Sequence, residues 1–126
     1  MAVSSRGNRS TVKAVIGEEE IKCQVDSAAD FNLMREDVFT RIKGQHGVSD
    51  LAMDRTLLKG AGGAYFTSQG VVTANTTLNS REYRLVYKVV SQEAIPAQVL
   101  LGHPLLDQAR VLLDKDGAVI RPLVGE

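Results

Sequence analysis

Val25-Asp26-Ser27-Ala28-Ala29-Asp30 sets a carboxylate where an alternating apolar stretch stops, and follows it with a hydroxyl and two small side chains. Upstream, Ile21, Cys23 and Val25 alternate with Lys22 and Gln24, the period-two signature of a strand with one buried face. Residues 12–16 are apolar and rich in β-branched side chains, and Gly17, Glu18 and Glu19 supply a turn. The segment therefore predicts a hairpin whose second strand ends at Asp26, with Cys23 as a small core residue rather than a nucleophile. Two readings of the hexapeptide stand open here. Asp and Ser are common turn residues that hydrogen-bond nearby backbone; a carboxylate at a strand end beside small side chains also suits chemistry in a cleft.

Downstream, Phe31, Leu33 and Met34 predict a short strand, residues 35–42 a helical turn stopped by Gly44, and residues 45–50 a loop. Leu57 and Leu58 lead into Lys59-Gly60-Ala61-Gly62-Gly63-Ala64, where glycine relaxes the backbone at an exposed, mobile turn. Residues 71–78 are rich in Val and Thr, and Tyr83, Leu85, Tyr87 and Val89 alternate with Arg84, Val86 and Lys88, so a long hairpin turning at Asn79-Ser80 is expected. Beyond a loop at 91–98 containing Pro96, the wholly apolar Val99-Leu100-Leu101 runs into Gly102-His103, the mark of a strand buried on both faces. Pro104 suits the first position of a helix, so 104–110 is a candidate helix with Leu105, Leu106 and Ala109 on its buried face. A last hairpin is expected from 111–113 and 118–120 about a turn at 114–117. Residues 1–10 are polar and aperiodic and read as a flexible N-terminal arm before one domain at 11–126. The sum is an all-β domain with one or two short helices.

Composition excludes several function classes. The 126 residues suit a single domain, and 44% hydrophobic against 24% charged is the balance of an ordinary globule. Equal numbers of basic and acidic residues, 15 each, remove the broad attraction on which nucleic-acid or anionic-membrane binding rests, and 5% aromatic content leaves little for base stacking. Neither partner is expected. One cysteine and two histidines make a thin inventory for a disulfide or a metal site, so no metal and no cofactor is expected. With no signal segment or membrane-spanning apolar run in view, an intracellular, cytoplasmic setting is expected. The glycine-rich turn has the wrong spacing for a dinucleotide or phosphate loop, and a strand-like continuation stands where such loops need a helix.

In this order along the chain, Asp26-Ser27-Ala28-Ala29-Asp30, the turn from Gly60 to Gly63, and Leu100-Leu101-Gly102-His103 resemble the retropepsins, the aspartic proteases of retroviruses and gypsy-type LTR retrotransposons. The likeness covers roughly residues 11–120. It implies a retropepsin-like β-barrel protomer that forms a two-fold homodimer, each subunit supplying half of an active site. By position, Asp26 resembles the catalytic aspartate and Ser27 the hydroxyl residue that ties the two loops together. Ala28, Ala29 and Asp30 resemble the adjoining substrate contacts, and Lys59, Gly60, Ala61, Gly62, Gly63 and Ala64 the tip of the flap. Gly102 and His103 would support the loop from behind, His103 by pairing with Asp30. Ala28 departs from the pattern, which most often has glycine there.

Amide hydrolysis needs a base to activate water and an acid to protonate the leaving nitrogen, and two adjacent carboxylates sharing one proton supply both. No other aspartate of the chain follows an apolar strand and precedes Ser or Thr, so the second carboxylate is expected from an identical chain. The expected function is a homodimeric aspartic endopeptidase acting on a peptide or polyprotein, with a retroelement polyprotein as the substrate the resemblance implies. A catalytically silent relative used for peptide binding or dimerisation is the alternative, and an unrelated β-barrel adaptor a third.

Overall fold

The computed structural model describes residues 11–60, 63–114 and 117–123; the arm read at 1–10 lies outside them. Strand β1 (Thr11–Ile16) turns at Gly17, whose φ is +64°, into β2 (Glu19–Val25). The two pair in register from Thr11↔Gln24 to Ile16↔Glu19, and their buried residues Val12, Ala14, Ile16, Ile21 and Cys23 share one face, as the alternation requires. The second strand stops at Val25, one residue short of the expected end, so Asp26 begins the loop. Strand β3 (Asn32–Arg35) leads directly into helix α1 (Glu36–Ile42). Acidic Glu36 and Asp37 open the first turn and Arg41 closes the last, which matches the helix dipole, while Val38 and Ile42, four apart, are the buried face. The Arg35 side chain donates to both Asp37 oxygens at 2.9 and 2.7 Å, and this holds the Asp37 carboxyl below its usual range.

A separate hairpin follows, β4 (Leu57–Lys59) and β5 (Tyr65–Thr67), which form a two-stranded sheet of their own. Strands β6 (Gly70–Leu78) and β7 (Arg81–Val90) then form the longest ladder. Asn79 and Ser80 connect them at φ +48° and +69°, the left-handed pair that matches the twist of a tight hairpin. Strand β8 (Val99–Leu101) is buried at every residue, as the unbroken apolar run predicts. It lies between β2, to which it is parallel, and β3, to which it is antiparallel, and closes a barrel in the order β1-β2-β8-β3-β7-β6.

Helix α2 (His103–Leu106) starts one residue before the expected proline and is shorter than 104–110. Leu105 is buried on it, whereas Ala109 belongs to β9 (Ala109–Asp114), which pairs with β10 (Gly117–Pro122) in a hairpin longer than the sequence pattern indicates. The strand ladder claims residues 109 and 110 because their backbone groups pair with Pro122 and Arg121, an alternative to helix that local pattern does not reveal.

The barrel interior holds Ile16, Met34, Tyr87, Leu101 and Leu105, each essentially without exposure. Each large apolar side chain so buried contributes about 1.5–3 kcal/mol. Tyr87 brings a hydroxyl into this core, 2.6 Å from Thr76 Oγ1, and burial pushes its phenol up from the ordinary value. Burial likewise raises the Cys23 thiol to about 12, which makes it an inert core residue. A second apolar cluster of Leu33, Leu58, Val90, Ile95 and Leu100 lies outside the first, with Phe31 and Phe66 against it. It joins the barrel wall to the β4–β5 hairpin. Among the described residues no helix is long and apolar enough to cross a membrane.

Candidate active site

Residues 26–31 form the loop from β2 to β3, and β8 runs between those two strands, so its C-terminal end meets the loop from behind. The Asp26 N–H donates to Leu101 O at 2.9 Å, the Ala29 N–H to Asp26 O at 3.1 Å, and the His103 N–H to Ala29 O at 2.9 Å. Buried Asn32 completes the attachment: its Oδ1 accepts from the Gly102 N–H at 2.8 Å and its Nδ2 donates to Val86 O at 3.2 Å. Gly102 is required by proximity. A Cβ there would stand 2.5 Å from Ala29 O and 2.7 Å from Phe31 O, both backbone atoms that have nowhere to go. The His103 ring does not pair with Asp30 as expected; its Nε2 lies 2.7 Å from Ser27 O and braces the loop through that carbonyl. A carbonyl only accepts, so Nε2 carries the proton.

Asp26 is 8% exposed, and among the described residues it is the one charged side chain in the buried class. Its Oδ1 accepts from the Ala28 N–H at 3.0 Å, the local bond that Asp forms readily in turns. The segment is therefore a turn, and the turn is buried at its acidic end. Ser27 and Ala28 are exposed. Among the described residues the non-glycine positions with positive φ are Asn79 and Ser80, so Ala28 occupies backbone that alanine adopts without strain.

Asp26, Ala28, Ala29 and Asp30 border a cleft of about 720 Å3 whose opposite side is the β4–β5 hairpin, represented by Lys59, Gly60 and Gly63. Ala64 is exposed beside them, its carbonyl accepting from the Gly60 N–H at 2.7 Å; Ala61 and Gly62, also expected here, lie outside the described residues. Gly63, at φ +88°, needs glycine's freedom. Ser27 does not border the cleft, its carbonyl meeting the His103 ring, and Gly102 and His103 support the loop from behind. The apolar walls are Phe31, Leu33, Leu58, Phe66, Ile95 and Leu100, which the sequence marks as strand residues or not at all, but not as cleft walls. The apolar run Ala94-Ile95-Pro96-Ala97 inside the 91–98 loop is the available signal.

No family model matches this sequence, and no curated protein matches it either. Solved structures do. The EIAV protease in complex with the inhibitor HBY-793 superposes with a TM-score of 0.65 at 18% identity, over 82% of this chain and 90% of that one. The retroviral protease-like domain of Ddi1 from Leishmania major gives 0.63 at 15% identity, over 91% and 95% of the two chains. A retropepsin-like aspartic protease from Rickettsia conorii gives 0.63 at 20% identity, over 94% of each. With its closed barrel, interleaved β8 and Asp26 loop, the chain has the retropepsin-like fold of aspartic proteases.

Proposed function

We propose that the protein is a homodimeric aspartic endopeptidase in which the two Asp26 carboxylates meet on the dimer axis. The observation that carries this reading is Asp26 itself: a buried acidic residue on the border of a cleft of about 720 Å3. Burying a charge is unfavourable, and such groups collect where chemistry uses them. In the dimer one carboxylate accepts a proton from water, the water oxygen adds to the scissile carbonyl, and the other carboxyl protonates the leaving nitrogen as the C–N bond breaks. Ser27 ties the two loops, and Ala28, Ala29, Asp30, Lys59 and the flap tip border the peptide. The substrate this reading favours is a polyprotein of retroelement type.

The test is a dilution series in which sedimentation and peptidase activity are measured together, with Asp26→Asn as control. Specific activity is expected to fall as dimer is lost, and Asp26→Asn, folded and dimeric, to lose at least about a hundredfold. An active monomer, or a pair formed within one chain by Asp26 and Asp30, gives activity independent of dilution and overturns the reading.

A further inference from the structure

The β4–β5 hairpin forms a sheet separate from the barrel, yet its root is held in place. Lys88, on the outward-facing side of β7, turns its ammonium toward the chain that enters the hairpin. Its Nζ donates to Asp54 Oδ2 at 3.1 Å and to Thr56 Oγ1 at 3.1 Å, and stands 4.6 Å from the centre of the Phe31 ring. Thr56 in turn donates its hydroxyl to Asp54 Oδ1 at 3.0 Å, and its carbonyl accepts from the Ser68 N–H at 2.9 Å, which joins the incoming and outgoing strands. The Gln69 N–H donates to Val89 O at 2.8 Å, next to Lys88. The side chains of Lys88 and Asp54 are 13% and 21% exposed, unlike the solvated ion pairs of helix α1. A cation in a largely covered position that touches both an acid and an aromatic face is held far more firmly than a surface lysine.

Phe31 is the residue after Asp30 and a wall of the cleft. One ammonium therefore contacts the hairpin root on one side and the loop that carries Asp26 on the other. We infer that Lys88 is a positioning residue that fixes the seat of the β4–β5 hairpin relative to the Phe31 wall, so that the width of the peptide cleft is set by this clamp. The inference rests on reading the cleft as a peptide site, and it concerns peptide capture rather than proton transfer.

The experiment is hydrogen exchange by mass spectrometry on the full chain, comparing the parent with Lys88→Met, Asp54→Asn and Lys88→Arg, alongside peptidase kinetics. Lys88→Met and Asp54→Asn are expected to speed exchange of β4, β5, Ser68 and Gln69 by at least about tenfold while the β1–β2 hairpin keeps its protection. Lys88→Arg, which keeps the charge and the ring contact, restores protection to within about threefold of the parent. In the kinetics KM rises at least about fivefold for Lys88→Met with kcat nearly unchanged. Unchanged hairpin exchange overturns the inference, and so does exchange that rises equally everywhere, because Lys88 then serves global stability alone. A parent that cleaves no peptide overturns the protease reading, while the exchange data still decide the clamp. Should Lys88→Met not fold, Asp54→Asn carries the same comparison.

Discussion

The two sides of the cleft are built by different means. The floor, residues 26–31, is fastened mainly by backbone groups: Leu101 O and the Gly102 and His103 N–H groups are fixed points of β8 and its continuation, and Asn32 and the His103 ring add side chains. The roof, β4–β5, has its own short ladder and meets the barrel through one backbone bond, Gln69 N–H to Val89 O, through apolar packing of Leu58 and Phe66, and at its root through the side chains of Lys88, Asp54 and Thr56. Backbone attachment to a buried strand gives an acid one position, whereas side-chain attachment can be loosened without unfolding the barrel. The proposed peptidase, which must hold a carboxylate still and admit a chain, needs both kinds of construction.

The sharpest way to break this contrast is Gly102→Ala. The added methyl meets Ala29 O at 2.5 Å and Phe31 O at 2.7 Å, so the loop must move. Overpacking of this kind costs about 1–3 kcal/mol. A displacement of the acid by about 1 Å lowers turnover on the order of a hundredfold. Denaturant unfolding and kcat on the same preparation check both. A variant as stable and as fast as the parent would show that the floor yields as easily as the roof.

Which of these parts can be read from sequence follows from the range of the interaction. The Asp26 loop and the Leu101-Gly102 run were legible because each is a local pattern, an acid after an alternating strand and a glycine after an unbroken apolar one. Strand faces were legible for the same reason, and Cys23, Tyr83, Leu85, Tyr87 and Val89 are all buried as the alternation requires. Lys88 was not, because alternation says only that it points away from the barrel interior; that residues 54–56 and Phe31 cover it is decided by chain 32 or more positions away. His103 was assigned its supporting place but the wrong partner, since Ser27 O and Asp30 are three residues apart on a curved loop and sequence separation does not say which one faces the ring. The extent of α2 was misjudged because β10, not the local sequence, draws Ala109 and Arg110 into a strand.

Acid sharpens the contrast from the roof side. The Ser68 hydroxyl first, and then Lys88 and Thr56, hold the Asp54 carboxyl down at about 2 against the opposing effect of burial. An unfolded Asp titrates near 3.9, so the stabilisation from Asp54 is fully present above that value and is lost as pH falls through about 4 toward 2. The expected result is that the parent melts higher than Asp54→Asn near pH 6 and that the gap closes as pH approaches about 2. Asp37, held low by Arg35, loses stabilisation in the same direction but contributes equally to both proteins, so the difference isolates the hairpin root. A gap that stays constant with pH shows that the Asp54 charge does not hold the roof.

The smallest effect belongs to Ala28, on the floor. The retropepsin pattern most often has glycine here, yet Ala28 has no left-handed backbone to require it, and its N–H already serves the Asp26 carboxylate at 3.0 Å. Ala28→Gly therefore relieves no backbone strain; it enlarges the freedom of the unfolded chain and is expected to lower stability by about 0.4–1 kcal/mol. What it can add is room, since Ala28 is exposed and borders the cleft. Measured per folded dimer, kcat/KM is expected to rise by a few-fold, on the order of what about 1 kcal/mol of relieved crowding gives. Activity found only in the glycine form would make the natural chain a silent peptide-binding relative. No rise at all would show that the rigid floor accommodates the methyl, and that the limit on peptide entry lies with the hairpin across the cleft.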